Sequence, residues 1–280
     1  MTVGKIPVHH GPGDSTAYGS LPFDASVAHQ ARMYDYLLGG KDNYAADREA
    51  MEAVLEVHPE AAFTARANRA FLGRAVRYLA GEAGMRQFLD IGTGIPTAGN
   101  AHEVVQAIEP EARVVYVDYD PIVLAHARAP LTSHEAGATE YIEADLRDTG
   151  TILSHASELL DLTRPVAVTL ISILHAIPDS DDPYSIVGQL MDAVPPGSYL
   201  AISHAGSDFY SREALDSIKH IANQKVRQQL EARSREQVAR FFDGLDLVEP
   251  GLVRVEEWHP DTAASDTSRS SLWCAIGHKS

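Results

Sequence analysis

Phe88-Leu89-Asp90-Ile91-Gly92-Thr93-Gly94 sets the architecture of the whole chain. An apolar strand runs into a carboxylate, and a glycine turn follows at once. The next periodic stretch, residues 101–108, has the apolar spacing of a helix. Strand, glycine turn and helix form the first unit of a nucleotide-binding α/β sheet. Glycine at 92 and 94 lets the backbone turn tightly and approach a ligand with no Cβ in the way. A plain glycine turn after a buried strand reads the same locally, so the downstream chain has to separate the two.

Working outward, a second apolar run, residues 113–118, ends in Asp118, 24 residues beyond Gly94. It has no alternation, as expected of a strand buried on both faces. A helix is expected next, opened by Pro121 and carrying Ile122, Leu124, Ala125 and Ala127. A third strand at 140–144 ends in Asp145-Leu146, and a helix at 152–160 follows. The fourth, residues 165–173, leads into Ser172-Ile173-Leu174-His175. A helix starting at Asp182-Pro183 then leads to a fifth strand at 198–203. Residues 207–233 read as a long polar helical insertion able to cap a substrate pocket. Ser234-Arg235-Glu236-Gln237 is a capping box. Strands at 252–258 and 272–276, joined by a polar loop, are expected to pair antiparallel.

Three successive strands thus end in a carboxylate at one sheet edge: Asp90, Asp118 and Asp145. Open α/β sheets bind ligands there. An acid closing the second strand can accept hydrogen bonds from both ribose hydroxyls, and one closing the third can take the exocyclic amine of adenine. The dinucleotide fingerprint G-x-G-x-x-G/A is incomplete, because its third small position is Thr97. Asp90 would also repel a pyrophosphate. It suits an adenosine ligand with a positive charge and no phosphate, such as S-adenosylmethionine (SAM).

The stretch before the first strand is helical. Residues 26–38 have a helical pattern that stops at Gly39-Gly40, and a second helix runs from about 46 to 57. The turn between them, Leu38 to Tyr44, is dense in hydrogen-bonding groups. It reads either as a lid over a ligand or as an ordinary connector. A third helix, about 64–80, carries Arg66, Arg69, Arg74 and Arg77. These form a solvated face, unless Arg66 or Arg69 points into the cleft. Residues 1 to about 25 are irregular.

Composition narrows the function. At 280 residues and 45% hydrophobic, the chain suffices for one large domain with an appendage. A formal charge of −16 argues against nucleic acid as a partner. One cysteine, Cys274, fits a reducing compartment, and no run of membrane-span length occurs, so a soluble cytoplasmic protein is expected. The 13 histidines are scattered without ligand spacing, so no metal site is expected.

The order of motifs resembles a class I SAM-dependent methyltransferase: Asp-x-Gly-x-Gly at 90–94, the acid at 118, Ala144-Asp145-Leu146, then Leu174-His175 and Pro195-Pro196-Gly197. More narrowly, the chain resembles the bacterial S-adenosyl methyltransferase family, formerly a domain of unknown function. Residues 32–44, Arg66-Ala67-Asn68-Arg69, 88–97 and 115–118 carry that likeness. The resemblance implies an α/β fold with a Rossmann-like, doubly wound, seven-stranded, mostly parallel sheet and one antiparallel strand. It implies an N-terminal extension and helical lid at 1–84 and a SAM-binding core at 85–280.

The resemblance also implies site roles. Gly92 and Gly94 would pass the methionine part, and Asp90 would hold its amino group. Asp118 would bind the ribose and Asp145 the adenine, with Thr93, Tyr119, Leu146 and Ser172 alongside. Arg32, Tyr34, Lys41 and Asn43 would be lid contacts. The broad motif often has a third glycine where this chain has Pro96. A methyl acceptor that must lose a proton needs a base; His175 is the first candidate and His204 the second. The expected activity is methyl transfer from SAM, leaving S-adenosylhomocysteine (SAH), to a small-molecule acceptor. SAM binding without catalysis and an NAD-linked oxidoreductase are the alternatives.

Overall fold

The computed structural model describes residues 24–96, 99–120, 122–123, 133–226, 229–261 and 270–280. Residues 1–23, Thr97 and most of the helix expected after Asp118 (Pro121, Leu124, Ala125 and Ala127) lie outside the described residues.

Five parallel strands form the body: β1 (Gln87–Ile91), β2 (Arg113–Asp118), β3 (Ala138–Glu143), β4 (Ala167–Ile171) and β5 (Tyr199–Ala205). Their spatial order is β3-β2-β1-β4-β5. The chain winds outward from β1 to β3, then crosses back to β4. The reversal between β1 and β4 is the topological switch point, where such sheets open a crevice. β8 (Leu272–His278) runs antiparallel to β5, pairing Ala205 with Leu272 and Tyr199 with His278. Two short strands, β6 (Asp246–Leu247) and β7 (Val253–Arg254), pair β8. Among the described residues the sheet therefore has eight strands where seven were expected, and one is reversed as expected.

The strand expected over 252–258 is only two residues long. Beyond Arg254 the backbone turns into the core, with Val255 and Trp258 fully buried. Their carbonyls accept from Arg74 (2.8 Å at Trp258), so a guanidinium replaces the ladder. Arg74 is thus not on a solvated face.

Both faces of the sheet are covered. Phe88, Val114 and Tyr116 pack against α3 (Ala61–Gly81) and α4 (Ala101–Ile108). Leu89, Val115 and Leu170 pack against α5 (Thr149–Leu159) and α6 (Pro183–Asp192). Adjacent residues along β1 face opposite cores, which is why these strands read as unbroken apolar runs.

α1 (Gln30–Leu37) and α2 (Ala45–Val57) sit apart on a small core of Ala28, Met33, Ala50 and Met51. Gly39, at φ 81°, ends α1 in the left-handed conformation. At Gly40 a Cβ would lie 1.9 Å from Oδ1 of Asp35. That buried carboxylate accepts from Asp42 N (2.9 Å) and Asn43 Nδ2 (2.8 Å) and organises the turn. A second buried carboxylate, Asp47, joins the two helices. It accepts from Tyr44 N and His29 N, each at 2.8 Å, and pairs with Arg32 Nε at 3.2 Å.

The region 207–233 is not one long helix. It holds α7 (Arg212–Ile221), capped by Ser211, and a π-turn, Ala222–Val226. By Arg233 the chain has returned to β5: Arg233 N donates to Ala205 O, and Ser207 N to Arg233 O. α8 (Arg235–Ala239) follows, with the capping box read from Ser234 and Gln237. Among the described residues no helix is long and apolar enough to cross a membrane.

Candidate functional site

A cleft with about 740 Å³ of empty volume lies over the carboxyl ends of β1, β2 and β4. Its floor is Asp90, Gly92, Thr93, Gly94 and Asp118. The lid supplies His29, Gln30 and Tyr34, α3 supplies Asn68 and Arg69, and the β4 end supplies Ser172 and Ile173.

Gly92 (φ 76°) and Gly94 (φ 64°) both lie where L side chains rarely go. A Cβ on Gly92 would also sit 2.5 Å from Cγ1 of Ile173. The loop is anchored by Gly92 N to Val117 O (2.8 Å) and by Gly94 N to Oδ2 of Asp118 (2.8 Å). The other Asp118 oxygen accepts from Asp120 N at 3.0 Å. Each carboxylate oxygen has a second lone-pair site, so Asp118 retains capacity for two hydroxyls. Its burial pushes its pKa up.

Asp90 is buried, and Thr169 on the neighbouring strand donates to its Oδ1 at 2.5 Å. Burial lifts its pKa to about 6, against the lowering effects of the Thr169 bond and the Arg69 charge. A carboxylate held out of water without a full counter-charge favours a cationic ligand group. Thr93 adds a second signal: its Oγ1 is buried and has no hydrogen-bond partner. Such an atom is costly unless something binds to it.

Asp145 and Leu146 line a smaller adjoining pocket that shares Gly92, Asp118, Tyr119 and Ile173 with the cleft. Asp145 is forked by Arg147: Nε reaches Oδ1 at 2.8 Å and Nη2 reaches Oδ2 at 2.6 Å. That fork holds its carboxyl below the usual range. Ser172 sits at φ 58°, a strained conformation for a residue with a Cβ, at the mouth of the cleft.

The expected lid contacts divide. Tyr34 lines the cleft; its hydroxyl donates to Ala65 O and accepts from Asn68 Nδ2, each at 3.0 Å. Arg32 faces Asp47, Asn43 faces Asp35, and Lys41 is exposed; none of the three lines the cleft. The lid meets the sheet through His29 instead. Its Nδ1 lies 2.7 Å from Asp120 and its Nε2 3.2 Å from the Tyr119 hydroxyl. Nothing in the local spacing around His29 or Gln30 marks them; they reach the cleft only through the packing of α1. Of the α3 arginines, Arg69 lines the cleft and Arg66 is exposed.

His175 is buried beyond the cleft, with Nε2 2.5 Å from Nε2 of Gln30. Burial, then the Arg233 charge, lowers its pKa to about 4. His204 cannot serve as the base: Arg233 Nη1 lies 2.8 Å from its Nε2, and its Nδ1 is spent on Ala205 O at 2.9 Å. Arg233 is fully buried and also donates to Leu174 O and Ile177 O. It pins the turn that carries His175.

Known proteins with this arrangement are close at hand. A sequence model described as S-adenosyl methyltransferase matches residues 17–280. A DUF574 family protein from Streptomyces avermitilis is 45% identical, with a TM-score of 0.88 over 92% of this chain and 99% of its own. A candidate methyltransferase from Thermobifida fusca is 39% identical, with a TM-score of 0.83 over 91% and 96%. An O-methyltransferase family protein from Burkholderia thailandensis shares only the fold, at 18% identity and a TM-score of 0.51 over 79% of this chain and 59% of its own. A search of curated proteins returned no match. The NAD-linked reading finds no support, and neither does SAM binding without catalysis. The chain belongs to the S-adenosyl methyltransferase family and is a SAM-dependent methyltransferase.

Proposed function

We propose that the chain methylates a small molecule, with SAM lying across the carboxyl ends of β1 and β2 and the acceptor on the lid side. One observation carries this reading: Thr93, whose buried hydroxyl has no partner, lines a cleft floored by Asp90 and two left-handed glycines. When bound, SAM supplies an electrophilic methyl group on a cationic sulfur.

The chain's part is to bind and orient. Gly92 and Gly94 give the methionine portion close approach to the backbone. Asp90 takes its ammonium and Arg69 its carboxylate. Asp118 accepts from the ribose hydroxyls, while Tyr119, Asp145 and Leu146 flank the base. Orientation alone can supply several kcal/mol of such a barrier, up to ~7–11 in ideal cases. The helices of residues 24–84 form the lid, and the sheet with its covering helices, from residue 85 on, forms the catalytic core. Enclosure of the cleft beneath α1, with a net charge of −16, favours a small acceptor over nucleic acid. The single cysteine fits a cytoplasmic setting.

Calorimetry with SAM and SAH on wild type and Asp118→Ala tests the cofactor placement. The substitution is expected to weaken binding by ~1.5–3 kcal/mol, the scale of hydrogen bonds to a charged group. Equal affinities would overturn the ribose assignment. His175 takes the acceptor's proton, because an acceptor that displaces the Gln30 amide meets its Nε2. His175→Ala is expected to lose turnover by ~10²-fold or more with SAM affinity intact. Unchanged turnover would remove the base role.

A further inference from the structure

Behind the cleft lie two adjoining pockets, each partly open to solvent, that share Leu37, Met51, Val54, Ile218 and Leu230 and form one chamber. Tyr34 and Ser172 line the cleft and both pockets, so the chamber opens into the proposed cofactor cleft. Its walls come from α1, α2, α7 and the π-turn. Among the described residues lining it, none is Asp, Glu, Lys or Arg. Its two histidines, His58 and His175, are held below the ordinary imidazole value by burial and are neutral at pH 7.

Apart from Gln229, the polar groups of its lining gather in two places. Near the cofactor are Gln30 and His175. At the far end Tyr210 Oη donates to Ser271 Oγ at 2.6 Å, and His58 Nε2 lies 3.2 Å from the same oxygen. Thr64 Oγ1 is 3.5 Å away. The far cluster keeps an open lone pair on the Tyr210 oxygen.

We propose that the acceptor is an uncharged, elongated and largely hydrophobic molecule that presents a hydroxyl to the cofactor cleft and hydrogen-bonds the Tyr210–Ser271 cluster with its other end. This rests on the methyltransferase reading above. A carboxylate, phosphate or ammonium entering the chamber would lose water with no opposite charge among the described lining residues to meet it. An aliphatic amine would arrive charged at neutral pH, whereas a hydroxyl arrives neutral. On transfer the hydroxyl oxygen takes the methyl group, and the sulfur keeps the electron pair of the broken carbon–sulfur bond. The hydroxyl proton passes to Nε2 of His175 and then to solvent.

The test is calorimetry on the full-length, SAH-saturated chain with para-phenylphenol and three analogues. The analogues carry a carboxylate, an aminomethyl group or a second hydroxyl on the distal ring. Mass spectrometry of reactions with SAM reads product. The two neutral probes are expected to bind and be O-methylated, and the two charged analogues to bind at least tenfold more weakly. The second hydroxyl should tighten binding, and that gain should vanish in Tyr210→Phe. Val54→Trp, which fills the chamber, should abolish probe binding with SAH affinity unchanged. Charged analogues binding as well as neutral ones, or neutral probes failing to bind a chain that holds SAH, overturns the acceptor class alone. Failure to bind SAH overturns the cofactor reading, and the acceptor assignment with it.

Discussion

In the proposed cofactor site, Asp90 would serve the ligand at the expense of the free protein. Its carboxyl is held at about 6 by burial, so at pH 7 the folded state carries a charge it disfavours. The folded pKa exceeds the unfolded value of 3.8, so folding binds a proton between those limits. Stability therefore falls as pH rises from about 4 to 6, by about 3 kcal/mol in all. Asp90→Asn is expected to raise the midpoint of denaturation of the free protein at pH 7 while weakening SAM. In wild type, SAM affinity should fall as pH drops through 6, because protonated Asp90 offers the ammonium no charge. Affinity flat from pH 5 to 7.5 would remove Asp90 from the ligand. This residue, Asp118 and the two glycines were legible because their signal is local: an apolar run, an acid, then a forced turn. Arg32 and Asn43 stay out of the cleft for a local reason too. Their partners, Asp47 and Asp35, lie within the same helical pair, and polar density in that turn reflects its own folding.

At the scale of elements, the parallel strands could be read from composition because burial on both faces forces unbroken apolar runs. The strand expected over 252–258, a run broken by Arg254, Glu256 and Glu257, shrinks to Val253–Arg254, since Arg74, far away in sequence, takes the carbonyls of Val255 and Trp258. The 207–233 insertion was polar enough for one helix, yet Arg233 draws its end back to β5 and under the His175 turn. Neither long-range capture leaves a mark in local periodicity. The helical pair α1 and α2 depends on Asp47, which is fully buried and serves both helices and Arg32. Asp47→Ala leaves the Arg32 charge without that carboxylate, a change worth about 3–5 kcal/mol when such pairs are buried. Amide hydrogen exchange should quicken across α1 and α2 and stay slow in β1 and β4. SAM affinity should drop with it, since His29, Gln30 and Tyr34 line the cleft. Unaltered exchange in α1 would show that the lid is held by something else.

Across the whole molecule, the acid response combines opposed groups that sit on the two sides of the site. His175 has a folded pKa of about 4 against 6.5 unfolded. The unfolded chain binds the extra proton in that window, so stability is lost as pH falls from 6.5 to 4, by about 3 kcal/mol. His204, lowered well below its ordinary value by burial, acts in the same direction. Asp90 acts in the other, gaining stability over nearly the same interval, so it offsets about one histidine. Of these three groups, the net loss on acidification is the share of His204; His58 and His102, also lowered by burial, add to it, and Asp118, raised by burial, works against it. Asp90→Asn removes the compensation and should steepen the loss by about 3 kcal/mol between pH 6.5 and 4. Urea titrations of both proteins at pH 7, 5.5 and 4.5 read this directly. Parallel pH profiles for wild type and Asp90→Asn would mean that Asp90 is ionised normally in the folded chain. The cleft would then lack the uncompensated carboxylate on which its preference for a cationic ligand depends.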